Sequence, residues 1–251
     1  MRILILSDIH ANLQALEASL EAAPAYDLVV NLGDVVGYGA NPNEVVKISR
    51  SLGNIFVRGN HDKAASGISD ASDFNPIAAA AVRWTGETLS AENLAWLREL
   101  PQGPARVEGE AEIQLVHGSP RDEDEYVMYE QEAHAILDAV KVPATFFGHT
   151  HVQGVFAGNE GPARFIPPGY KEARKLETFD FELQPGKKYL INPGSIGQPR
   201  DGDWRAAFLV FDSSSKVATF YRVPYDVKSA QGNILAAKLP ERLAARLAEG
   251  R

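Results

Sequence analysis

The chain contains no cysteine, only two methionines, and no apolar run near the ~18 residues that a membrane-spanning helix needs. Without cysteine, the protein has neither disulfides nor thiolate metal sites, and the cytoplasm is the expected compartment. The amino-terminal stretch MRILILSDIH has too short an apolar part for a signal peptide. We therefore expect a cytoplasmic protein that does not bind a membrane.

Basic residues are fewer than acidic ones: the chain has 25 Lys and Arg and 33 Asp and Glu, for a net charge of −8. An acidic surface repels polyanions, so an extended nucleic-acid partner is not expected. A small phosphorylated substrate stays compatible with this charge, because the field of bound cations outweighs diffuse surface charge at short range. No linker or internal repeat divides the 251 residues, which predicts a single domain over 1–251.

Hydrophobic periodicity predicts alternating strands and helices in the first half of the chain and mostly strands in the second. Strands are predicted at residues 2–6, 27–32, 55–58, 104–108, 112–117, 144–147, 152–157, 163–166, 188–192, 206–212 and 216–223. Helices are predicted at residues 12–23, 42–50, 76–88, 90–100, 131–140 and 231–248. This order indicates an α/β fold of two sheets packed face to face with helices outside. The Pro- and Gly-rich segment 158–187 is interpreted as a loop insertion.

Five of the six histidines fall in short segments where a hydrophobic run gives way to glycine or polar residues. Strands end and functional loops begin at such positions. The segments are Asp8-Ile9-His10, Gly33-Asp34, Gly59-Asn60-His61-Asp62, His117-Gly118 and Gly148-His149-Thr150-His151. Each alone is a weak signal, but together they supply the donors for two metal ions.

The spacing within these segments suggests how the donors are shared. Side chains at i and i+2 of an extended chain point alike, so Asp8 and His10 can hold one ion together. His149 and His151 have the same spacing, but a loop there can direct them toward different ions. Asp34 follows an apolar strand and a glycine, which leaves its carboxylate free to bridge two cations ~3.5–4 Å apart.

Asn60 and His117 add an amide oxygen and a further imidazole to this set. Mixed nitrogen and oxygen donors without thiolate suit Mn, Fe or Zn rather than an all-oxygen Ca or Mg site. Two divalent ions are therefore expected, with Mn²⁺ as the first choice.

The five segments in this order resemble the motifs of the calcineurin-like metallophosphoesterase superfamily. The strings SDIHANLQAL, GDVVGYGANPNEVV and NPGSIGQPRD are similar to a prokaryotic branch of phosphodiesterases and phosphatases, and the resemblance spans about residues 1–223. It implies a four-layer αββα sandwich of two mixed sheets flanked by helices. It also implies one metal held by Asp8, His10, Asp34 and His151, and another held by Asp34, Asn60, His117 and His149.

The same resemblance implies in-line attack on phosphorus by a metal-bridging hydroxide, without a phosphoenzyme. His61 follows the ligand Asn60 but is spare in the ligand count. We expect it to protonate the leaving oxygen, a role suited to a group that titrates near pH 6–7. The structural alternative is a histidine bonded to Asp62.

Three further residues are candidates for substrate contact, and each has a structural alternative. Arg58 could bind a phosphate oxygen or cover a strand end. Asn12 could touch substrate, although helix capping explains it equally well. Tyr38 is expected at the edge of the cleft, as are Arg200 and Asp201.

Two features of the sequence are expected to matter less for chemistry. His134 lies on a predicted helix without a partner motif and is interpreted as an ordinary surface residue. The segment 121–125 is interpreted as a solvated acidic loop, whose place after His117 also suits a lid.

One departure from the family pattern bears on the substrate. The phosphoprotein-phosphatase branch has an acid-orienting Asp and a phosphate-clamping Arg where this chain has Gly37 and Tyr38. Their absence favours a phosphodiesterase acting on small phosphate esters. The alternatives are a phosphomonoesterase or protein phosphatase, a dinucleoside polyphosphate hydrolase, or a non-catalytic interaction scaffold such as the retromer subunit of this fold. A homo-oligomer through residues 163–223 and the terminal helix is a further expectation.

Overall fold

The structure is a computed structural model that describes residues 1–53, 55–159 and 161–251. The strands are β1 (Arg2–Leu6), β2 (Leu28–Asn31), β3 (Ile55–Phe56), β4 (Ala105–Val107), β5 (Glu110–Leu115), β6 (Ala144–Phe146), β7 (Gly154–Asn159), β8 (Gly161–Ile166), β9 (Glu177–Glu182), β10 (Lys188–Asn192), β11 (Ala206–Asp212) and β12 (Val217–Val223). The helices are α1 (Leu13–Ala22), α2 (Pro42–Leu52), α3 (Asn60–Ser66), α4 (Pro76–Thr88), α5 (Ala91–Arg98), α6 (Glu130–Ala139), α7 (Val227–Ala236) and α8 (Glu241–Glu249).

The strands form two mixed sheets of six. The first has the order β3-β2-β1-β11-β12-β9 and the second the order β4-β5-β6-β10-β7-β8. In the first sheet β1, β2 and β3 are parallel neighbours, and in the second β5, β6 and β10 are. The remaining pairs are antiparallel.

Alternation along the buried strands produces the layers. In β1, Ile3 and Ile5 pack between the two sheets, whereas Leu4 and Leu6 pack against the helices outside the first sheet. Helix α6 covers the outer face of the second sheet through residues such as Ile136. This arrangement confirms the predicted α/β fold with two mixed sheets flanked by helices. No helix in the described part of the chain is long and apolar enough to span a bilayer.

Two sequence-based element predictions were wrong, and one helix was not predicted. The segment 158–187 is not a loop insertion: β8 corresponds to the strand predicted at 163–166, and β9, which was not predicted, forms the edge of the other sheet, with residue 160 outside the described part. The edge strand β9 alternates Phe179 and Phe181 with charged residues, which hides it in a hydropathy pattern. The predicted helix 231–248 is two helices, because Pro240 lies at the N-cap of α8. Helix α3, which begins at a candidate ligand, was not predicted.

The topology brings the candidate ligands together. Parallel neighbours within a sheet have their carboxyl ends at the same edge, where ligands bind in open α/β sheets. The segments containing Asp8 and Asp34 follow β1 and β2, and those containing His117 and His149 follow β5 and β6. Both sheets therefore contribute side chains to one site.

Candidate metal centre

The predicted ligands form two adjoining donor groups at this edge. The first donor group consists of Asp8, His10, Asp34 and His151, and the second of Asp34, His117 and His149. Within each group, one ligand atom from every residue lies within 4.8 Å of the others. All six side chains are buried. The structure thus brings together six of the seven predicted ligands in the two predicted sets.

Asp34 is the residue that the two groups share. Its Oδ2 lies 3.6 Å from Nε2 of His10 and 3.5 Å from Nε2 of His117. Its Oδ1 accepts a hydrogen bond from the backbone N–H of His61 at 2.9 Å, which fixes the carboxylate plane. One oxygen facing both groups is the arrangement expected of a bridging carboxylate.

Asn60, the seventh predicted ligand, borders the second group. Its Oδ1 lies 3.4 Å from Nε2 of His117. Its backbone opens α3, with Gly59 as the N-cap and the Asp62 carboxylate accepting from the Gly59 N–H at 3.1 Å. The first turn of α3 therefore holds the Asn60 side chain at the edge of the centre.

Backbone carbonyls set the tautomers of the imidazoles in the first group. Nδ1 of His10 donates to the Val36 oxygen at 3.0 Å, and Nδ1 of His151 donates to the Gln198 oxygen at 2.6 Å. A carbonyl can only accept, so each Nδ1 carries the proton of a neutral ring. The two Nε2 lone pairs then face each other at 3.1 Å, which is repulsive unless a cation lies between them.

Backbone carbonyls also set the tautomers in the second group, but His149 uses Nε2 rather than Nδ1 as the donor. Nδ1 of His117 donates to the Leu32 oxygen at 2.7 Å, whereas Nε2 of His149 donates to the Asp124 oxygen at 3.1 Å. The remaining nitrogens, Nε2 of His117 and Nδ1 of His149, lie 3.1 Å apart. Four imidazole nitrogens thus converge beside two carboxylates, which fits divalent cations with mixed nitrogen and oxygen ligands.

The protonation states suit metal ligands. Burial would raise the pKa of Asp8 and Asp34, but the charges of neighbouring imidazoles keep both well below the ordinary range, so both carboxylates are ionised. Burial lowers the pKa of His10 and His151, which are neutral rings at pH 7.

The pKa of His117 shifts in the opposite direction. Burial would lower its pKa, but the charge and hydrogen bond of Asp34 raise it to about 10. The Asp34 carboxylate therefore favours a positive charge beside it, which a divalent cation supplies when bound.

The backbone around the centre adopts an unusual conformation. Five of the predicted ligands, Asp8, His10, Asp34, His149 and His151, have φ between 50° and 66°. This left-handed region costs a residue with a side chain on the order of 1 kcal/mol, and such residues cluster at functional sites.

Glycine permits close approach at two points beside them. A Cβ at Gly59 would meet Asp34 Oδ1 at 2.0 Å, and a Cβ at Gly148 would meet Ser7 Oγ at 2.1 Å.

His61 lies beside the first group but is not one of its ligands. Its ring centre is 4.8 Å from that of His10 and 4.3 Å from that of Tyr38. Its Nδ1 is buried and makes no hydrogen bond among the described residues, so a bond to Asp62 is not formed. Burial lowers the pKa of His61 to about 4, below the range of pH 6–7 expected from the sequence.

The three predicted substrate contacts differ in their surroundings. Arg58 donates to both Glu123 oxygens at 2.9 Å, and this bidentate pair anchors a loop rather than joining the centre. Asn12 caps α1 through Oδ1 and donates to the Gly197 oxygen at 2.9 Å, so the capping interpretation is confirmed. Tyr38 lies beside the centre, with its ring 4.6 Å from that of His10.

Two other residues considered in the sequence analysis, Asp201 and His134, have partners outside the donor groups. Asp201 pairs with the buried guanidinium of Arg222 and accepts from the Gln153 N–H at 3.1 Å, a structural role. His134 is 41% exposed and lies 3.7 Å from Asp138, in agreement with an ordinary surface histidine.

The loop of residues 119–126 covers one side of the second group, a role that sequence reasoning did not assign in detail. The Asp124 oxygen fixes His149, and the Tyr126 ring lies against the His149 ring. Lys63 holds the loop through Glu123 at 3.0 Å and Asp124 at 2.5 Å. Carbonyl contacts of this kind leave no signal in a sequence, because every residue has the same carbonyl.

A cleft of about 270 Å³ opens beside the centre. Its walls include Tyr38, His61, Phe74, Tyr126 and His149. Its lining also includes polar and charged side chains, namely Asn60, Lys63, Asp70, Asp73 and Asp124. The cleft adjoins the second donor group, because Asn60 and His149 form part of its lining.

Comparisons with known proteins agree with this geometry. The calcineurin-like phosphoesterase superfamily domain matches residues 1–216. An uncharacterised protein of Methanocaldococcus jannaschii is 36% identical over 99% of this chain and 98% of its own length. The crystal structure of a metallophosphoesterase from Sphaerobacter thermophilus is 40% identical, with a TM-score of 0.85 over 100% of this chain and 99% of that one.

A hypothetical protein from Pyrococcus horikoshii OT3 shares the fold, with a TM-score of 0.78 and 24% identity over 100% of this chain and 98% of that one. Family and donor groups together indicate divalent metal binding. The chain belongs to the calcineurin-like phosphoesterase superfamily.

Proposed function

We propose that this protein is a metal-dependent phosphodiesterase that hydrolyses small phosphate esters with two divalent cations, Mn²⁺ as the first choice. The observation that carries the proposal is the shared Asp34 carboxylate, whose Oδ2 faces Nε2 of His10 at 3.6 Å and Nε2 of His117 at 3.5 Å. Two cations held there would activate a water and neutralise the phosphoryl oxygens.

The side chains around that centre have separate tasks in this proposal. The carbonyls of Val36 and Gln198 keep two imidazoles in the tautomer that leaves Nε2 free. His61 lies on the cleft wall, and its backbone N–H is tied to Asp34 at 2.9 Å. We assign it to protonate the leaving oxygen. Its pKa of about 4 would rise when an anionic substrate lies against the ring, because nearby negative charge favours imidazolium.

The surroundings of His61 support a diester as the substrate. A Cβ at position 37 would meet His61 Nδ1 at 2.3 Å, so the present backbone has no room there for a carboxylate that orients the ring. Position 38 carries a tyrosine, and the nearby Arg58 is bound to Glu123. A phosphate monoester dianion lacks its usual partners at these positions, whereas a diester carries one charge fewer.

The test compares metal-stripped protein with protein loaded with Mn²⁺, Fe²⁺ or Zn²⁺. Bis-p-nitrophenyl phosphate is the diester and p-nitrophenyl phosphate the monoester. We expect metal-dependent turnover of the diester, fastest with Mn²⁺, and a loss of about 10²–10⁴-fold in His61→Ala, the range for general acid–base catalysis. His134→Ala is the matched control, because His134 is exposed and belongs to neither donor group.

Three other outcomes would redirect the proposal. A preference for the monoester indicates a phosphatase. Turnover of neither ester by protein that binds two metals indicates a narrow substrate requirement or a non-catalytic scaffold, and partner capture separates these. Full activity without metal contradicts the proposal outright.

A further inference from the structure

Two arginines that the proposed chemistry does not use converge on the Tyr38 ring. The Cζ atom of Arg200 lies 5.8 Å from the ring centre and that of Arg246 lies 6.0 Å from it. The same ring centre is 4.6 Å from that of His10 and 4.3 Å from that of His61. Concentrated positive charge therefore borders the candidate metal centre in a protein whose net charge is −8.

These two guanidinium groups differ from the other arginines near the site. Arg58, Arg205 and Arg222 each form an ion pair with a carboxylate. Within the described ranges, neither Arg200 nor Arg246 pairs with an Asp or Glu. Arg246 donates through Nε to the Arg251 oxygen.

Arg200 is held in place with donor capacity left over. Its Nη2 donates to the Tyr38 hydroxyl at 3.2 Å and to Gln198 Oε1 at 3.3 Å, and its backbone N–H donates to the His151 oxygen at 3.2 Å. Its Nε is buried without an acceptor in the described part of the chain. A buried donor without an acceptor is destabilising, and more so when it is charged. The cation–π contact between Arg200 and Tyr38 does not provide an acceptor for this Nε hydrogen.

The two arginines also repel each other. Burial lowers the pKa of Arg246, and the charge of Arg200 lowers it further. An anion beside both relieves this repulsion, and the guanidinium fork matches phosphate oxygens. Burial raises the pKa of Tyr38, so its hydroxyl stays protonated and, while accepting from Arg200, keeps its own hydrogen to donate.

We propose that Arg200, supported by Arg246 and the Tyr38 hydroxyl, forms an anion subsite for a second phosphoryl group of the substrate, while the scissile one lies at the metal centre. This deepens the proposed function and rests on it for the scissile step. The preferred substrates are phosphate diesters that carry a separate terminal phosphoryl group.

Thymidine 5′-(p-nitrophenyl phosphate), with and without a 3′-phosphate, provides a matched pair of esters with the same leaving group. We expect kcat/KM of the Mn²⁺-loaded protein to be at least about tenfold higher for the 3′-phosphorylated ester, the size of a hydrogen bond to a charged group. Arg200→Gln should remove this preference, and Arg246→Gln should reduce it. Arg242→Gln, on the same helix with its own partner Glu249, should keep it.

A binding measurement separates the subsite from catalysis. Calorimetric titration of metal-free protein with thymidine 3′,5′-bisphosphate should show binding that weakens about tenfold in Arg200→Gln but not in Arg242→Gln. If neither ester turns over and this binding still depends on Arg200, the proposed function fails and the subsite stands.

Two results would overturn the subsite while leaving the phosphodiesterase intact. One is equal kcat/KM for the two esters, or a preference that survives in Arg200→Gln. The other is an equal loss for both esters in Arg200→Gln, which would assign the guanidinium to the scissile phosphoryl group.

Discussion

The ring of Tyr126 lies against the ring of His149, with the centres 3.8 Å apart and the planes 35° apart. Tyr126 belongs to the loop 119–126, and the carbonyl of Asp124 in the same loop fixes the His149 tautomer. The loop and the His149 ring therefore contact each other directly, and side chains that anchor the loop also orient the imidazole of His149.

Removing an anchor of this loop should loosen the second donor group. In Lys63→Ala, the ties to Glu123 and Asp124 are lost, and we expect faster amide hydrogen exchange in residues 119–126 together with weaker metal retention. Arg58→Ala should have the same effect, because Arg58 binds the same Glu123. The double variant should be non-additive, since the two cations share a partner. Unchanged exchange in Arg58→Ala with a raised KM would instead support a direct substrate contact.

The shared carboxylate predicts an asymmetry between two Asp→Asn variants. Asp34→Asn should lose both metals, because Oδ2 of Asp34 faces both donor groups. Asp8→Asn should lose one and keep the other, since Asp8 belongs to the first group only. Elemental analysis of desalted protein gives the stoichiometry, and circular dichroism checks the fold. Equal losses in the two variants would contradict a bridging Asp34.

Metal removal should destabilise the protein. Two buried carboxylates and four converging imidazole nitrogens lose their cation, and a ligand at 100 times its Kd contributes about 2.7 kcal/mol. For a chain of this size we expect Tm to fall by roughly 5–10 °C in excess chelator. Asp34→Asn should show no such fall, because it has no metal to lose. Identical melting of wild type with and without chelator would count against a metal centre.

Glycine is required at position 59 and dispensable at position 232. Gly59→Ala would place a Cβ 2.0 Å from Asp34 Oδ1, so we expect a loss of about 1–3 kcal/mol of stability and weaker metal binding. Gly232→Ala, inside α7 with no heavy atom within 4 Å of the new Cβ, should stabilise by about 0.5–1 kcal/mol. Urea unfolding of the two variants measures both changes. A neutral Gly59→Ala would show that the Asp34 carboxylate has room to move.

The sequence predicted the layers and the candidate ligands because both depend on strong local signals. Strand β1 is apolar on both faces, with Ile3 toward the facing sheet and Leu4 toward the helices, which is the pattern of a strand buried between two layers. The ligands stand out because histidine is rare here and occurs at strand ends. Edge strand β9 was missed because half of its residues face solvent.

What sequence reasoning missed depends on contacts between distant segments. The carbonyl of Gln198 orients His151 from 47 positions away, and any residue at 198 offers the same atom. The interpretation of Arg58 also required a partner, Glu123, 65 positions away. The low pKa of His61 arises from burial, which its immediate neighbours in the sequence do not reveal.

The convergence of both sheets at one edge has a consequence for the timing of metal capture. His10 and His151 are separated by 141 positions, and β1 pairs with β11, which ends at Asp212. A growing chain that ends before His117 carries Asp8, His10 and Asp34 but neither donor group in full. Both donor groups therefore become complete only once residues 149–151 have been synthesised.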